Sequence, residues 1–162
     1  MNKRLLVLDT NVVLDLLHFA DAAARPLLDA LQGGQVRCVV TAATLDEWRR
    51  VLGYPEFSLD AARQAALLTR YRALSAMADD AGAPAGLPPG APLRCGMTPA
   101  WSRMPRCSDP DDQKFIELAA MAGAQGLVSK DRALLRLRRR CAPHFRIMSP
   151  VEAVRWLGAP PA

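Results

Sequence analysis

The sequence predicts an α/β fold, a three-layer α/β/α sandwich around a central parallel sheet of four to five strands. Short continuous apolar runs, of the kind buried on both faces of a parallel sheet, alternate along the chain with segments whose apolar residues recur at helical spacing. Two of those runs end at or near an aspartate, Asp9 and Asp131, where strand ends would form a ligand-binding rim. At 162 residues the chain has the length of one compact domain, so residues 1–158 are expected to form a single unit with a Pro/Gly-rich loop at about 80–106.

The elements follow in order. Arg4 to Leu8 reads as the first strand, stopped by Asp9-Thr10-Asn11. Residues 12–31 carry a helical pattern broken at Pro26 and closed by Gly33-Gly34. Val36 to Val40 is the second strand, and residues 44–53 a helix stopped by Gly53, which places Glu47 in its first turn. Leu59 to Met77 reads as a helix with Ser58 as N-cap. Asp109 suits an N-cap and Pro110 the first position of a helix ending at Gly123. A third strand at 127–129 runs toward Asp131, a basic helix spans Ala133 to Arg140, a fourth strand lies at 145–150, and a short helix closes the chain.

Composition narrows the function classes. An apolar fraction of 51% with 23% charged residues is that of a globular protein and excludes disorder as the default. The longest apolar run falls short of the ~20 residues that cross a bilayer, and no signal peptide is legible, so a cytoplasmic protein is expected. Cys38, Cys95, Cys107 and Cys141 are scattered without a CxxC pair, and His18 and His144 stand alone, which argues against zinc and for reduced core thiols. A formal net charge of +5, supplied mostly by arginine, favours an acidic partner such as nucleic acid.

The acids carry the chemistry. Asp9 and Asp131 follow strands, while Glu47 and Asp112 lie in helices that begin on the same rim, so right-handed crossovers collect all four at one end of the sheet. Carboxylates crowded in one pocket repel one another, and a divalent cation resolves the repulsion. Oxygen ligands suit Mg²⁺ or Mn²⁺ better than zinc. Such an ion lowers the pKa of a water and offsets charge on a phosphate undergoing in-line displacement. Taken singly, each acid has an ordinary structural use: Asp109, Asp111 and Asp112 as helix caps, Asp131 as another, Glu47 on a helix surface and Asp9 at a strand end. The functional case rests on their conjunction.

The runs LVLDTNVVLDLL, TAATLDEWRRVL, SDPDDQKFIELAAMAGAQGLVSKDRALL and RIMSPVEAV resemble, in order and spacing, the PIN-domain proteins, and most of all the branch described as toxin components of bacterial toxin-antitoxin systems. The resemblance covers nearly the whole chain, with residues 80–106 fitting least well. It implies a metal-dependent endoribonuclease that hydrolyses single-stranded RNA with Mg²⁺ or Mn²⁺, leaving 5′-phosphate and 3′-hydroxyl ends. Position by position, Asp9, Glu47, Asp112 and Asp131 match the family's acids, with Asp109 as an extra member. Thr10 or Asn11 would orient Asp9 or a water. It also implies a small antitoxin partner and a homodimer.

Residues 129–131 read SKD where the family often has TGD, so Lys130 puts a cation beside the site, either to hold phosphate or to weaken the metal position. Asp15 reads as a surface or helix-pairing residue. Arg132, Arg136 and Arg139 could grip an RNA backbone or simply solvate a helix, and Trp101 could stack a base or anchor its own loop. Two rival readings stay open. A haloacid-dehalogenase-like phosphotransfer enzyme also places Asp after its first strand, but it would want a second Asp where Asn11 stands. A catalytically inactive module of the same fold would bind RNA or a partner without cutting.

Overall fold

The computed structural model describes residues 4–78 and 104–159. The first part runs β1 (Arg4–Leu8), α1 (Thr10–Leu17), α2 (Arg25–Gln32), β2 (Val36–Val40), α3 (Ala42–Leu52), α4 (Ala61–Leu74) and β3 (Ser75–Met77). The second opens with a 3-10 turn at Pro110–Asp112 that feeds α5 (Gln113–Met121) and β4 (Gly126–Val128). Two short helices follow, α6 (Arg132–Leu135) and α7 (Arg138–Cys141), then β5 (Arg146–Met148) and α8 (Pro150–Gly158). The five strands form one all-parallel sheet in the order β3-β2-β1-β4-β5.

The alternation of side chains along each strand builds the three layers. Leu6 and Leu8 of β1, Cys38 and Val40 of β2, Val128 of β4 and Met148 of β5 share a core with α1 to α4 and Ala153 of α8. Their neighbours Val7, Val39, Leu127 and Ile147 share the opposite core with α5, α6 and α7. Strands buried on both faces explain why these runs carry almost no polar residues. Trp48 of α3 and Phe115 of α5 are the largest fully buried side chains, one on each side of the sheet. Trp48 meets Tyr71 of α4 edge-on with ring centroids 5.6 Å apart.

Several boundaries differ from those expected of the sequence. The helical pattern over 12–31 splits into α1 and α2, because Ala20 takes a left-handed φ of 49° and the Asp21 carboxylate accepts from the Ala23 N–H. Pro26 therefore stands in the first turn of a new helix and does not kink an old one. Ser58 is left-handed and closes a 3-10 turn, while Asp60 caps α4 by accepting from the Arg63 N–H at 2.7 Å. The helix expected to reach Met77 ends at Leu74, and Ser75–Met77 pair with β2 as a fifth strand. Thr41 and Thr44 form a reciprocal cap that starts α3 two residues early, so Glu47 sits in the second turn. The basic helix is two short ones, α6 and α7.

Of the 80–106 segment, residues 104–106 are described. Met104 is buried in the core under α5, and the Gln113 side chain ties this stretch down by accepting from the Cys107 N–H and donating to the Pro105 carbonyl. Cys38, Cys107 and Cys141 are buried free thiols. Among the described residues, no helix is long and apolar enough to cross a membrane.

Leu127 lies on β4, beside the central strand, and is fully buried in the core with α5. Leu127→Ala is expected to lower stability by about 2–5 kcal/mol through lost burial and a residual cavity, read as a reduced midpoint of urea unfolding with an unchanged denaturant slope.

Candidate metal centre

β1 has β2 on one side and β4 on the other, so strand order reverses at β1, and the crevice beyond the carboxyl ends of β1 and β4 is the switch point of the sheet. Leu8 is level with Val128, and the Asp9 N–H bonds the Val128 carbonyl at 3.0 Å. Asp9 and Ser129 therefore leave adjacent strands side by side. Ser129 is fully buried, and its hydroxyl donates to Asp9 Oδ2 at 2.7 Å while accepting from the Asp131 N–H at 2.9 Å. One hydroxyl thus locks two of the acids to each other.

Asp112 lies on the 3-10 turn that opens α5, and Asp109 caps that turn. Asp109, Asp112 and Asp131 each present a carboxylate oxygen within 4.8 Å of the other two. Asp109 Oδ1 accepts from the Asp111 N–H at 3.0 Å, and Asp131 Oδ1 accepts from the Ala133 N–H at 2.8 Å. Capping and site-building are therefore compatible duties: one oxygen of each carboxylate closes a turn, and the second is left for the crevice.

Glu47 reaches the same crevice from α3 but is held differently. Its Oε2 accepts from the Thr10 hydroxyl, and its Oε1 lies 2.6 Å from Lys114 Nζ and 3.9 Å from an Arg50 nitrogen. Both oxygens are thus engaged by protein donors. Thr10, expected to orient Asp9 or a water, orients Glu47. The exposed Asn11 side chain leaves only its backbone N–H directed at Asp9.

The electrostatics follow from this crowding. Burial pushes the Asp9 carboxyl up, opposed by the Ser129 hydrogen bond and reinforced by the charges of Glu47 and Asp131. Asp112 is pushed up to about 8, first by burial, then by a proton-sharing contact with Asp131 and by the charges of Asp9, Asp131 and Asp109. Asp112 Oδ2 is buried with no hydrogen-bond partner. A buried carboxylate with an unpartnered oxygen, grouped with two more carboxylates, is an environment that a divalent cation satisfies. The all-oxygen donor set fits Mg²⁺ or Mn²⁺.

Lys130 does not point a free cation at these acids. Its Nζ lies 2.6 Å from Asp15 Oδ2 on α1, and Asp15 is itself only 7% exposed. The residue that replaces the small one expected between Ser129 and Asp131 is held by a buried counter-charge two turns along α1. Arg132 of α6, Arg136 just after it and Arg139 of α7 are exposed, and Trp101 lies outside the described residues.

Three residues of this arrangement escaped the sequence reading. Ser129 had a signal, as the hydroxyl ending an otherwise apolar strand two residues before Asp131. Lys114 had a weaker one, two residues after Asp112 on a helix opening. Asp15 had none, since its partner is more than a hundred residues away in the chain.

In comparison with known proteins, a family model described as PIN domain matches residues 5–133. No curated protein and no solved structure gives a significant match to the chain. The matched span contains every acid described above and ends before β5 and α8, which complete the sheet and its covering layer.

Two expectations follow. Without added divalent cation, the folded chain keeps a proton on Asp112 up to about pH 8, whereas the unfolded chain releases it near the ordinary value of 3.8. The folded state binds the extra proton across that window, so its stability is greatest at the acid end and declines as pH rises toward 8. Melting temperatures in chelator from pH 5 to 9 should show this decline, and Asp112→Asn should flatten it. Separately, Lys130→Ala leaves Asp15 without its counter-charge. It should cost about 1–3 kcal/mol in chemical denaturation while changing Mn²⁺ affinity by calorimetry less than about twofold.

Proposed function

The chain belongs to the PIN-domain family, whose members are in general metal-dependent nucleases, and from that premise we propose that it is an endoribonuclease cutting single-stranded RNA with Mg²⁺ or Mn²⁺. The observation that carries this reading is the unpartnered, buried Asp112 oxygen among Asp109 and Asp131, with Asp9 beside them at the switch point of the sheet.

In this reading Asp9, Asp112 and Asp131 hold the cation and Asp109 contributes its second oxygen. A bound Mg²⁺ or Mn²⁺ supplies an acidified water and offsets charge growing on the scissile phosphate. The protein's own groups do the positioning. Ser129 fixes the Asp9 carboxylate, and the Asp131 cap fixes the start of α6. Glu47, gripped by Thr10 and Lys114, keeps the partly exposed Lys114 ammonium in place, where a phosphate oxygen could meet it. The net charge of +5 suits a polyanionic substrate.

The same reading extends to a toxin of a toxin-antitoxin pair, working as a homodimer in the cytoplasm and silenced by a small protein that covers the acidic crevice. Co-expression with the product of an adjacent short gene would then relieve growth arrest caused by the wild type.

The decisive assay is cleavage of an end-labelled single-stranded RNA in Mn²⁺, with products analysed for 5′-phosphate ends and the protein's melting followed in parallel. Wild type should cut and gain stability with Mn²⁺. Asp9→Asn should abolish cutting and the Mn²⁺ gain while melting no lower than wild type in chelator, since the amide keeps the Ser129 contact and removes a repelled charge. Wild type that binds Mn²⁺ but leaves RNA intact would return the chain to the class of non-cutting modules.

A further inference from the structure

Beyond the region matched by the family, β5, α7 and α8 enclose a groove of about 470 Å³ along the outer edge of the sheet, well within the range of about 300–1,000 Å³ typical of small-ligand sites. Its wall includes the partly exposed Trp156 beside the β5 edge, where Ile147 and Met148 are themselves buried, and arginines border it. Trp156 is a fixed platform: the Arg4 guanidinium lies 4.8 Å from its ring centroid and donates to the carbonyls of Trp156 and Ala159.

Charge says what such a groove suits. Between residues 131 and 159 seven arginines face only two carboxylates, Asp131 and Glu152, so this stretch holds the whole formal net charge of +5. Glu152 is already taken, by a two-pronged contact from Arg138 at 2.9 and 3.2 Å and by the Ser149 cap. Arg146 and Arg155 are exposed and, among the described residues, have no carboxylate within ion-pairing distance. Cationic rims over an apolar, aromatic floor are how proteins seat an unpaired base between two phosphates.

Arginines extend from the groove toward the acids. Arg138 borders both it and a shallower depression lined by Arg132, Leu135 and Arg136, and Arg132 directly follows Asp131. Met148, at one end of the groove, is level with Val128, and the Ser129 N–H bonds its carbonyl at 2.9 Å. Arginines thus follow one another from Arg132, next to Asp131, to Arg146 and Arg155 at the β5 edge.

We propose that this groove is a second contact surface for single-stranded RNA, seating one unpaired base beside Trp156 at the outer edge of β5 while Arg146 and Arg155 neutralise the flanking phosphates. The proposal rests on the nuclease reading for its substrate. An acidic peptide added to the β5 edge is the competing occupant, but a three-residue strand offers it few ladder bonds.

The test compares RNA of about three nucleotides with RNA of about twelve, the span of a single-stranded binding site, on wild type and on Arg146→Gln/Arg155→Gln, whose altered side chains are exposed. Wild type should cut the longer RNA with a kcat/KM about tenfold higher. The double variant should lose that gain and keep the rate on the short RNA. Its binding of the longer RNA in chelator should show a salt slope smaller by about 1.4, at about 0.7 per lost phosphate contact. Photocrosslinking of 5-bromouridine RNA should label the peptide containing Trp156. An unchanged length dependence and salt slope in the double variant would overturn the proposal, as would binding of an acidic peptide in the groove without effect on RNA. Arginine-dependent RNA binding by a wild type that cuts nothing would leave the groove standing and remove the nuclease reading alone.

Discussion

Repulsion among carboxylates brought together at the reversal of strand order is the constraint around which the rest of this molecule is arranged. Asp9 and Asp131 are delivered by neighbouring strands, Asp109 and Asp112 by the turn that opens α5, and Glu47 by α3. Burial first, and then the charges of their neighbours, raise the proton affinity of Asp9 and Asp112. The fold tolerates this because each acid except Asp112 has at least one oxygen bound to a nearby donor: Ser129, Thr10, Lys114 or a backbone N–H. What remains unsatisfied is concentrated at Asp112, so that is where a cation has most to gain.

How much of this could be read from the chain depended on the range of the interactions involved. β1, β2, β4 and β5 were legible because strands buried on both faces must be apolar throughout, and that leaves a local mark. β3 was not. Leu74 to Met77 continue the apolar spacing of α4, and only pairing with β2 makes them a strand. The break between α1 and α2 was hidden by alanines, which favour a helix, while the turn there depends on a left-handed Ala20 and a single Asp21 contact.

The acids of the crevice were all visible as residues, yet their division of labour was not. Sequence spacing marked Asp9, Glu47, Asp112 and Asp131 as a set and Asp109 as an extra. In space the tight group is Asp109, Asp112 and Asp131, Asp9 stands next to it through Ser129, and Glu47 is tied to a lysine. Spacing reports which end of the sheet a residue reaches. Which oxygens are already taken is decided by donors such as Lys114 and Thr10, whose reach depends on rotamers that the chain order does not encode.

The ion pair between Lys130 and Asp15 has a consequence for how such a sequence can change. The two positions are epistatic: a glycine introduced first at 130 would strand a buried anion, whereas an uncharged residue introduced first at 15 would release a long cation beside the acids. Neither single step is neutral, and the order in which they occur decides whether the burden falls on folding or on the crevice. Lineages carrying a lysine at the one site should therefore be tethered to an acid at the other, so that two residues far apart in the chain evolve as a single locus.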